Sequence, residues 1–223
     1  MKKKEHPNHE AAKRSAVYAL LSRLFLKEPG LEMIRFLKSR EVLTLFESLD
    51  LPLGNEILKK DEASLIHELS LEYARLYLTP PSHLPPYESF YVGGFRDDME
   101  NFEPSLQGKA AVEVRTFYHE YGILIPEEAK LLPDHIGVEL EALRLLCELE
   151  SQAADSGHTD RVRQIEGQFL AEHPGRWIPL FSDLIIKKTE NPFYRAVSQL
   201  TRAFIDSELT ELTHRNVEEE VAL

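Results

Sequence analysis

An acid and an imidazole stand side by side at residues 132–136 (LPDHI), immediately before an apolar run at residues 137–146. The first turn of a helix has unpaired backbone N–H groups and partial positive charge, so Asp134 is favoured there as a helix cap. The same carboxylate could accept hydrogen bonds from an arginine of a partner, and capping and binding can share one carboxylate. His135 has no comparable structural reason to occupy this place, and we predict a functional role for it.

A metal site is the catalytic alternative at this position. His135 and Glu139 are four residues apart and would project from the same face of a helix. Two ligands do not make a site, and the one Glu-x-x-His pair of the kind that di-iron bundles use lies at residues 211–214, in the predicted C-terminal tail. A metal-dependent helical enzyme using His135 and Glu139 therefore remains the alternative function.

Other kinds of catalysis find little support in the sequence. The single cysteine, Cys147, lies within an apolar helical stripe and is predicted to be a small core residue. There is no Gly-x-Ser-x-Gly elbow and no glycine-rich phosphate loop. We predict no catalytic residues, no bound metal and no cofactor.

The segment at residues 79–104 is rich in proline and aromatic residues. A connection of this length in a compact helical domain is usually functional or disordered, and its aromatic content argues against disorder. We predict an ordered loop that wraps over a bundle, with a turn at Gly93–Gly94. Its aromatic residues either pin the loop to the bundle or contact a partner, and both interpretations stay open. Hydrogen-bond acceptors for a partner are Glu88, Asp97, Asp98 and Asp134.

Helical periodicity dominates the remaining sequence, and no alternating pattern predicts strands. We predict an all-α, single-domain helical bundle over residues 10–210, with frayed tails at 1–9 and 211–223. Helices are predicted around residues 17–25, 65–77 and 114–121, from 136 onward, and at 159–173, 176–188 and 191–209. Asn191 is the predicted cap of the last helix and Pro192 its first residue.

Charge and hydropathy exclude two classes of partner. The net charge is −12, with 38 acidic and 26 basic residues, which repels a phosphate backbone and argues against nucleic-acid binding. No apolar run is long enough to span a membrane, and no export signal follows the basic start, so we predict a cytoplasmic protein without membrane insertion. A monomer and a helix-exchanged dimer are both compatible with the predicted bundle.

Four motifs in order resemble the TorD/DmsD/NarJ family of molybdoenzyme-specific chaperones. They are EYARLY at residues 72–77, PPYESFY at 85–91, PDHI at 133–136 followed by EL at 139–140, and His173 followed by Trp177 and Phe181. The resemblance extends over residues 12–209. Pro174–Gly175 is predicted to interrupt the helix in the last motif, and Trp177 is assigned to the core.

The resemblance implies an all-helical, non-enzymatic cytoplasmic chaperone. Members of the family bind the twin-arginine signal peptide, and sometimes the body, of a molybdopterin oxidoreductase until its cofactor is inserted, which prevents premature export. The implied peptide-binding residues of this chain are Pro86, Tyr87, Glu88, Ser89, Tyr91, Asp134 and His135. A carboxylate beside an aromatic, apolar groove suits a peptide with paired arginines and an apolar stretch. In this hypothesis, residues 134–135 and 87–91 form the two walls of the groove.

Overall fold

The computed structural model of this chain describes residues 7–51, 53, 59–81, 83–92, 108–125 and 131–222. These residues form an all-α domain, as the sequence predicts. Its helices are α1 (Pro7–Leu26), α2 (Leu31–Leu37), α3 (Arg40–Ser48), α4 (Glu62–Tyr73), α5 (Glu88–Tyr91), α6 (Lys109–Tyr121), α7 (Ile136–Gln152), α8 (Ser156–Glu172), α9 (Pro174–Lys188) and α10 (Pro192–Ala222). A π-helical turn, Ala74–Leu78, continues α4. The sequence analysis did not predict α2 and α3, which are short.

The centre of the bundle is the pair α1 and α7, which contact each other along most of their length. Their close approach depends on Gly137, because a Cβ atom there would lie 2.8 Å from Leu26 Cγ and 3.0 Å from the Leu26 backbone nitrogen. At the same crossing, Ser22 Oγ donates a hydrogen bond to the Gly137 carbonyl at 2.9 Å. The first turn of α7 is therefore fixed against the end of α1.

Several predicted helix ends are confirmed. Gly122 ends α6 with a φ of +66°, a left-handed conformation that glycine adopts without strain. Asn191 Oδ1 accepts hydrogen bonds from the backbone N–H of Phe193 at 3.0 Å and of Tyr194 at 3.4 Å, so it caps α10. The interruption predicted at Pro174–Gly175 lies at His173 instead, between the end of α8 and Pro174, the first residue of α9.

The last helix is longer than predicted, and the end that the sequence analysis placed at Leu209 is wrong. The helix continues to Ala222, through the residues predicted to fray from 211 onward. Leu212 packs so closely on α8 that a Cβ atom at Gly167 would lie 2.6 Å from its Cδ1 atom. At the other end, α1 already begins at Pro7, inside the predicted N-terminal tail. The polar composition of residues 211–222 concealed the C-terminal extension, because the Leu212 contact with α8 cannot be seen in a local residue pattern.

The predicted aromatic loop is ordered where the structure describes it, at residues 79–81 and 83–92. Leu84, Phe90 and Tyr91 are each 6% exposed and belong to the core, which pins the segment to the bundle. It contains the short helix α5, which the sequence analysis did not predict because four residues show no periodicity. The predicted turn at Gly93–Gly94 and the residues Asp97 and Asp98 lie outside the described residues.

None of the helices that the structure describes is both long enough and apolar enough to cross a membrane.

Candidate peptide-binding site

Two backbone hydrogen bonds join the aromatic segment to the residues at the start of α7. The backbone N–H of Ile136 donates to the Pro86 carbonyl at 2.9 Å, and that of Glu88 donates to the Asp134 carbonyl at 2.9 Å. Tyr87 and His135 are thereby paired as an isolated antiparallel bridge. The tertiary structure thus brings together the two motifs that the sequence analysis singled out.

Asp134 caps a helix, but a different one from the helix predicted. Its Oδ2 atom accepts a hydrogen bond from the backbone N–H of Ser89 at 3.1 Å, in the first turn of α5. The side chain is fully buried. Its Oδ1 atom has no hydrogen-bond partner among the described residues, and the same holds for the buried Oγ atom of Ser89. A buried carboxylate oxygen without a donor costs free energy, so binding of a further hydrogen-bond donor at Oδ1 is favoured.

His135, and not Asp134, is the N-cap of α7. Its Nδ1 atom accepts a hydrogen bond from the backbone N–H of Gly137 at 3.1 Å, and the residue is 2% exposed. Burial lowers the pKa of His135 to about 3. The imidazole is therefore neutral at physiological pH, with Nδ1 as acceptor and the proton on Nε2. The premise that His135 has no structural reason to be there is wrong, because histidine can cap a helix through Nδ1.

Two buried glutamates lie beneath this junction. His173 Nδ1 lies 3.0 Å from Glu88 Oε2, and Trp177 Nε1 donates to Glu139 Oε2 at 2.9 Å. Both glutamates are fully buried. Burial raises the pKa of Glu139 well above its usual range, and the negative charges of Glu88 and Asp134 raise it further.

The Oε1 atoms of Glu88 and Glu139 are both buried and have no hydrogen-bond partner among the described residues. The raised pKa favours the protonated form of Glu139, whose hydroxyl group is a donor that the neighbouring Glu88 can accept. Sequence reasoning missed Glu139, His173 and Trp177 as a connected group, although a glutamate within the apolar stripe of α7 was the available signal.

These contacts weaken the alternative of a metal enzyme. The Nδ1 atom of His135 already accepts the Gly137 N–H, and Oε2 of Glu139 already accepts the Trp177 Nε1–H. Among the described residues there is no group of three or more His, Cys, Asp or Glu side chains that could hold a metal ion.

The predicted binding aromatics differ in their accessibility. Tyr91 is buried and stacks on Trp177, with ring centroids 5.4 Å apart and an interplanar angle of 13°, so the assignment of Trp177 to the core is confirmed. Pro86 is buried as well, whereas Tyr87 and Ser89 are partly exposed. The Tyr87 ring lies against His135 at 5.0 Å between centroids. The two predicted walls therefore contact each other directly, and the groove expected between them is closed in this structure.

An open groove exists nearby, on the other side of the first turns of α7. It has a volume of about 700 Å³ and lies between α1, α2 and α7. Its lining combines apolar side chains such as Leu26, Met33 and Val138 with the carboxylates of Glu28 and Glu32. The sequence analysis did not foresee this groove, because it is assembled from three separate elements.

Comparison with known proteins assigns the chain to a family. The family model described as nitrate reductase delta subunit matches residues 40–183, which is well over half of the chain. A chaperone protein TorD from Vibrio cholerae serotype O1 is 26% identical over 226 residues, covering 91% of this chain and 96% of that protein. A TorD from Photobacterium profundum is 30% identical over 151 residues, covering 67% of this chain and 65% of that protein. This chain belongs to the nitrate reductase delta subunit family.

The family assignment confirms the resemblance seen in the sequence, because its curated relatives are TorD chaperones across most of the chain. The protein is a chaperone of molybdoenzyme maturation and not an enzyme. In this chain, the motifs at residues 85–91 and 133–136 are joined by backbone hydrogen bonds at the start of α7.

Proposed function

We propose that this chaperone acts in the cytoplasm, where it binds the twin-arginine leader and/or the apo form of a molybdopterin oxidoreductase and assists cofactor insertion before export. The observation that carries the proposal is the similarity to TorD chaperones over about nine tenths of the chain. The proposed peptide-binding residues are Pro86, Tyr87, Glu88, Ser89, Tyr91, Asp134 and His135.

The junction between α5 and α7 has the chemistry that an arginine requires. A guanidinium group has five donors in a planar fork, and Asp134 Oδ1 and Ser89 Oγ both lack a partner among the residues described. The exposed part of Tyr87 offers an aromatic surface beside them. In this proposal one arginine of the leader binds Asp134 and Ser89.

Binding at this place requires the aromatic segment to move away from α7, because Asp134 is fully buried. Three hydrogen bonds break. Ile136 N–H donates to the Pro86 carbonyl, Glu88 N–H donates to the Asp134 carbonyl, and Ser89 N–H donates to the Asp134 carboxylate. The two backbone–backbone bonds contribute about 1 kcal/mol net each, and the bond to the Asp134 carboxylate contributes about 1.5–3 kcal/mol, as does each hydrogen bond to a guanidinium. Two good contacts to a guanidinium therefore recover about as much free energy as the three broken hydrogen bonds lose.

Titration of the purified chain with leader peptides tests the proposal. We expect binding in roughly the micromolar range, weakened about tenfold or more when both arginines are replaced by lysine, because lysine lacks the bidentate fork. A parallel titration with the leaderless apo enzyme measures binding to the body of the client. If the chain binds neither the leader nor the apo enzyme, the proposal is wrong.

A further inference from the structure

We infer that His173 is a positioning residue that keeps the aromatic segment closed over Asp134 by holding the side chain of Glu88. This inference rests on the proposed function, because it names the contact that opposes opening of the arginine site. Glu88 is one of the proposed peptide-binding residues, yet in the closed structure it is fully buried, and its Oε2 atom lies 3.0 Å from His173 Nδ1. A carboxylate only accepts hydrogen bonds, so the Nδ1–H group of His173 is the donor.

The helix that carries Glu88 is too short to hold itself in place. α5 has four residues, and isolated helices shorter than about 12–15 residues are marginal in water, so its position depends on contacts with the rest of the fold. At its C-terminal end, Tyr91 stacks on Trp177. At its N-terminal end, Glu88 reaches His173, whereas the buried Oγ atom of Ser89 has no hydrogen-bond partner among the described residues. The Glu88 side chain therefore adds an anchor to the backbone hydrogen bonds at this end of the helix.

His173 is a rigid partner for Glu88, because it lies where two helices meet. Its backbone N–H donates to the Phe169 carbonyl in α8 at 3.0 Å, and its carbonyl accepts the Arg176 N–H of α9 at 3.0 Å. The ring packs against Phe169 and Phe117, with centroid distances of 5.3 Å and 6.1 Å. When the aromatic segment moves away from α7, we therefore expect Glu88 to move and His173 to stay.

Burial makes the closed position of Glu88 depend on this donor. A buried carboxylate loses its hydration, and hydrogen bonds must replace the lost water. In the open form water reaches Glu88, so that form does not need His173. The hydrogen bond therefore stabilises the closed form selectively, and it lowers the apparent affinity for a peptide that binds only the open form. Loss of the donor should shift the population toward the open form.

The first test measures the open population and the leader affinity in His173→Phe, which keeps an aromatic ring but has no donor for Glu88. We expect amide hydrogen exchange of Glu88, Ser89 and Ile136, whose N–H groups form the junction, to become about tenfold faster, while exchange within α4 is unchanged. A fluorescently labelled twin-arginine leader should bind tighter by the same factor of about ten, because both measurements report the open fraction.

Two control variants separate the hydrogen bond from ring packing and from general destabilisation. His173→Asn loses the ring but places an amide N–H group near the position of Nδ1, so junction exchange and leader affinity should stay within about twofold of the wild type. Tyr194→Phe removes a buried hydrogen bond elsewhere, from the Tyr194 hydroxyl to the Leu69 carbonyl at 2.8 Å. It should lower the melting temperature without changing junction exchange or leader affinity.

A measurement on the wild-type chain tests the inference even if His173→Phe does not fold. In the free chain the Nδ1–H group of His173 is buried and hydrogen-bonded, so its NMR signal should be protected from exchange with water. Saturation with leader should remove that protection, because Glu88 moves away with the aromatic segment. A signal that stays protected in the leader-bound chain would overturn the inference.

The outcomes distinguish this inference from the proposed function. Unchanged junction exchange or weaker leader binding in His173→Phe would show that His173 does not hold the segment closed. A larger effect in His173→Asn than in His173→Phe would also overturn the inference, because ring packing would then hold the segment. If the wild type binds neither leader nor apo enzyme, the proposed function is wrong, and the exchange rates of the free variants alone decide whether His173 keeps the aromatic segment closed.

Discussion

At the scale of single residues, the structure changes which helix each of Asp134 and His135 caps. His135 caps α7 through Nδ1, and Asp134 instead holds the first turn of α5. Asp134 therefore combines a structural bond at Oδ2 with an oxygen, Oδ1, that has no donor among the described residues. A substitution that keeps an acceptor for Ser89 but removes the charge can therefore separate the capping role of Asp134 from its proposed binding role.

Asp134→Asn is expected to reduce leader affinity about tenfold or more while changing the melting temperature little. The amide oxygen of asparagine can still accept the hydrogen bond from Ser89, but the charge that strengthens a bond to arginine is lost. Isothermal titration and thermal unfolding measure the two effects. A large loss of stability with unchanged affinity would show that Asp134 serves only as a cap.

His135 should make the stability of the fold depend on pH. Its pKa is lowered from 6.5 in the unfolded chain to about 3 in the folded one, so the unfolded state binds more protons between these values. The stabilising contribution is complete above pH 6.5 and is lost as the pH falls toward 3, by up to about 4–5 kcal/mol. Urea unfolding at several pH values should show this slope reduced in His135→Asn, since asparagine also caps helices and does not titrate. An identical pH dependence in both proteins would contradict the prediction.

At the scale of elements, the start of α7 is the position on which the proposed arginine site depends. On one side it is joined to residues 86–89 by backbone hydrogen bonds, and on the other it packs against the end of α1 at Gly137. Glu139 connects the same helix to Trp177 of α9 beneath the junction. A change in how α1 and α7 pack should therefore affect the junction with residues 86–89.

Gly137→Ala tests the close packing of α1 on α7. The added Cβ atom would lie 2.8 Å from Leu26 Cγ and 3.0 Å from its backbone nitrogen, so the helices must separate. We expect a loss of about 1–3 kcal/mol in the free energy of unfolding. Gly157→Ala in α8 is the control, because its nearest neighbour would be Asp155 Oδ1 at 3.5 Å, and it should be neutral or up to about 1 kcal/mol stabilising. Equal effects of the two substitutions would rule out this packing explanation.

At the scale of the whole molecule, ion pairs of Arg14 connect four helices. This α1 side chain bonds Glu166 of α8, lies 3.0 Å from Glu208 of α10 and lies 3.4 Å from Glu150 of α7. Its Nη2 atom also lies 3.2 Å from the sulfur of Cys147, which is buried in the core as predicted. Burial raises the pKa of Glu166 to about 7, although the charge of Arg14 opposes this rise.

Arg14→Met should destabilise the fold by about 3–5 kcal/mol, because it leaves buried carboxylates without their cation. Arg35→Met is the matched control, since its ion pair with Glu62 at 3.2 Å is exposed and should be worth less than about 1 kcal/mol. Chemical denaturation at pH 7 measures both values. A small effect of Arg14→Met would mean that the buried glutamates are neutral in the folded protein.

The sequence by itself determined the helical class, several helix ends and the identity of the motifs. Helical periodicity, the Asn191–Pro192 start and the Gly122 end depend on local geometry, which neighbouring residues specify. The family motifs could likewise be recognised from short stretches of residue types. These features can be predicted without knowing which helices contact each other.

Only the tertiary structure decided what the motif residues do. Whether Asp134 caps α7 or α5 depends on a segment 45 residues away, and the raised pKa of Glu139 depends on its own burial and on the charge of Glu88 beside it. The groove between α1, α2 and α7 likewise exists only where three separate helices meet. Burial, shifted pKa values and open clefts arise from contacts between residues that are distant in the chain, and a local residue pattern does not specify those contacts.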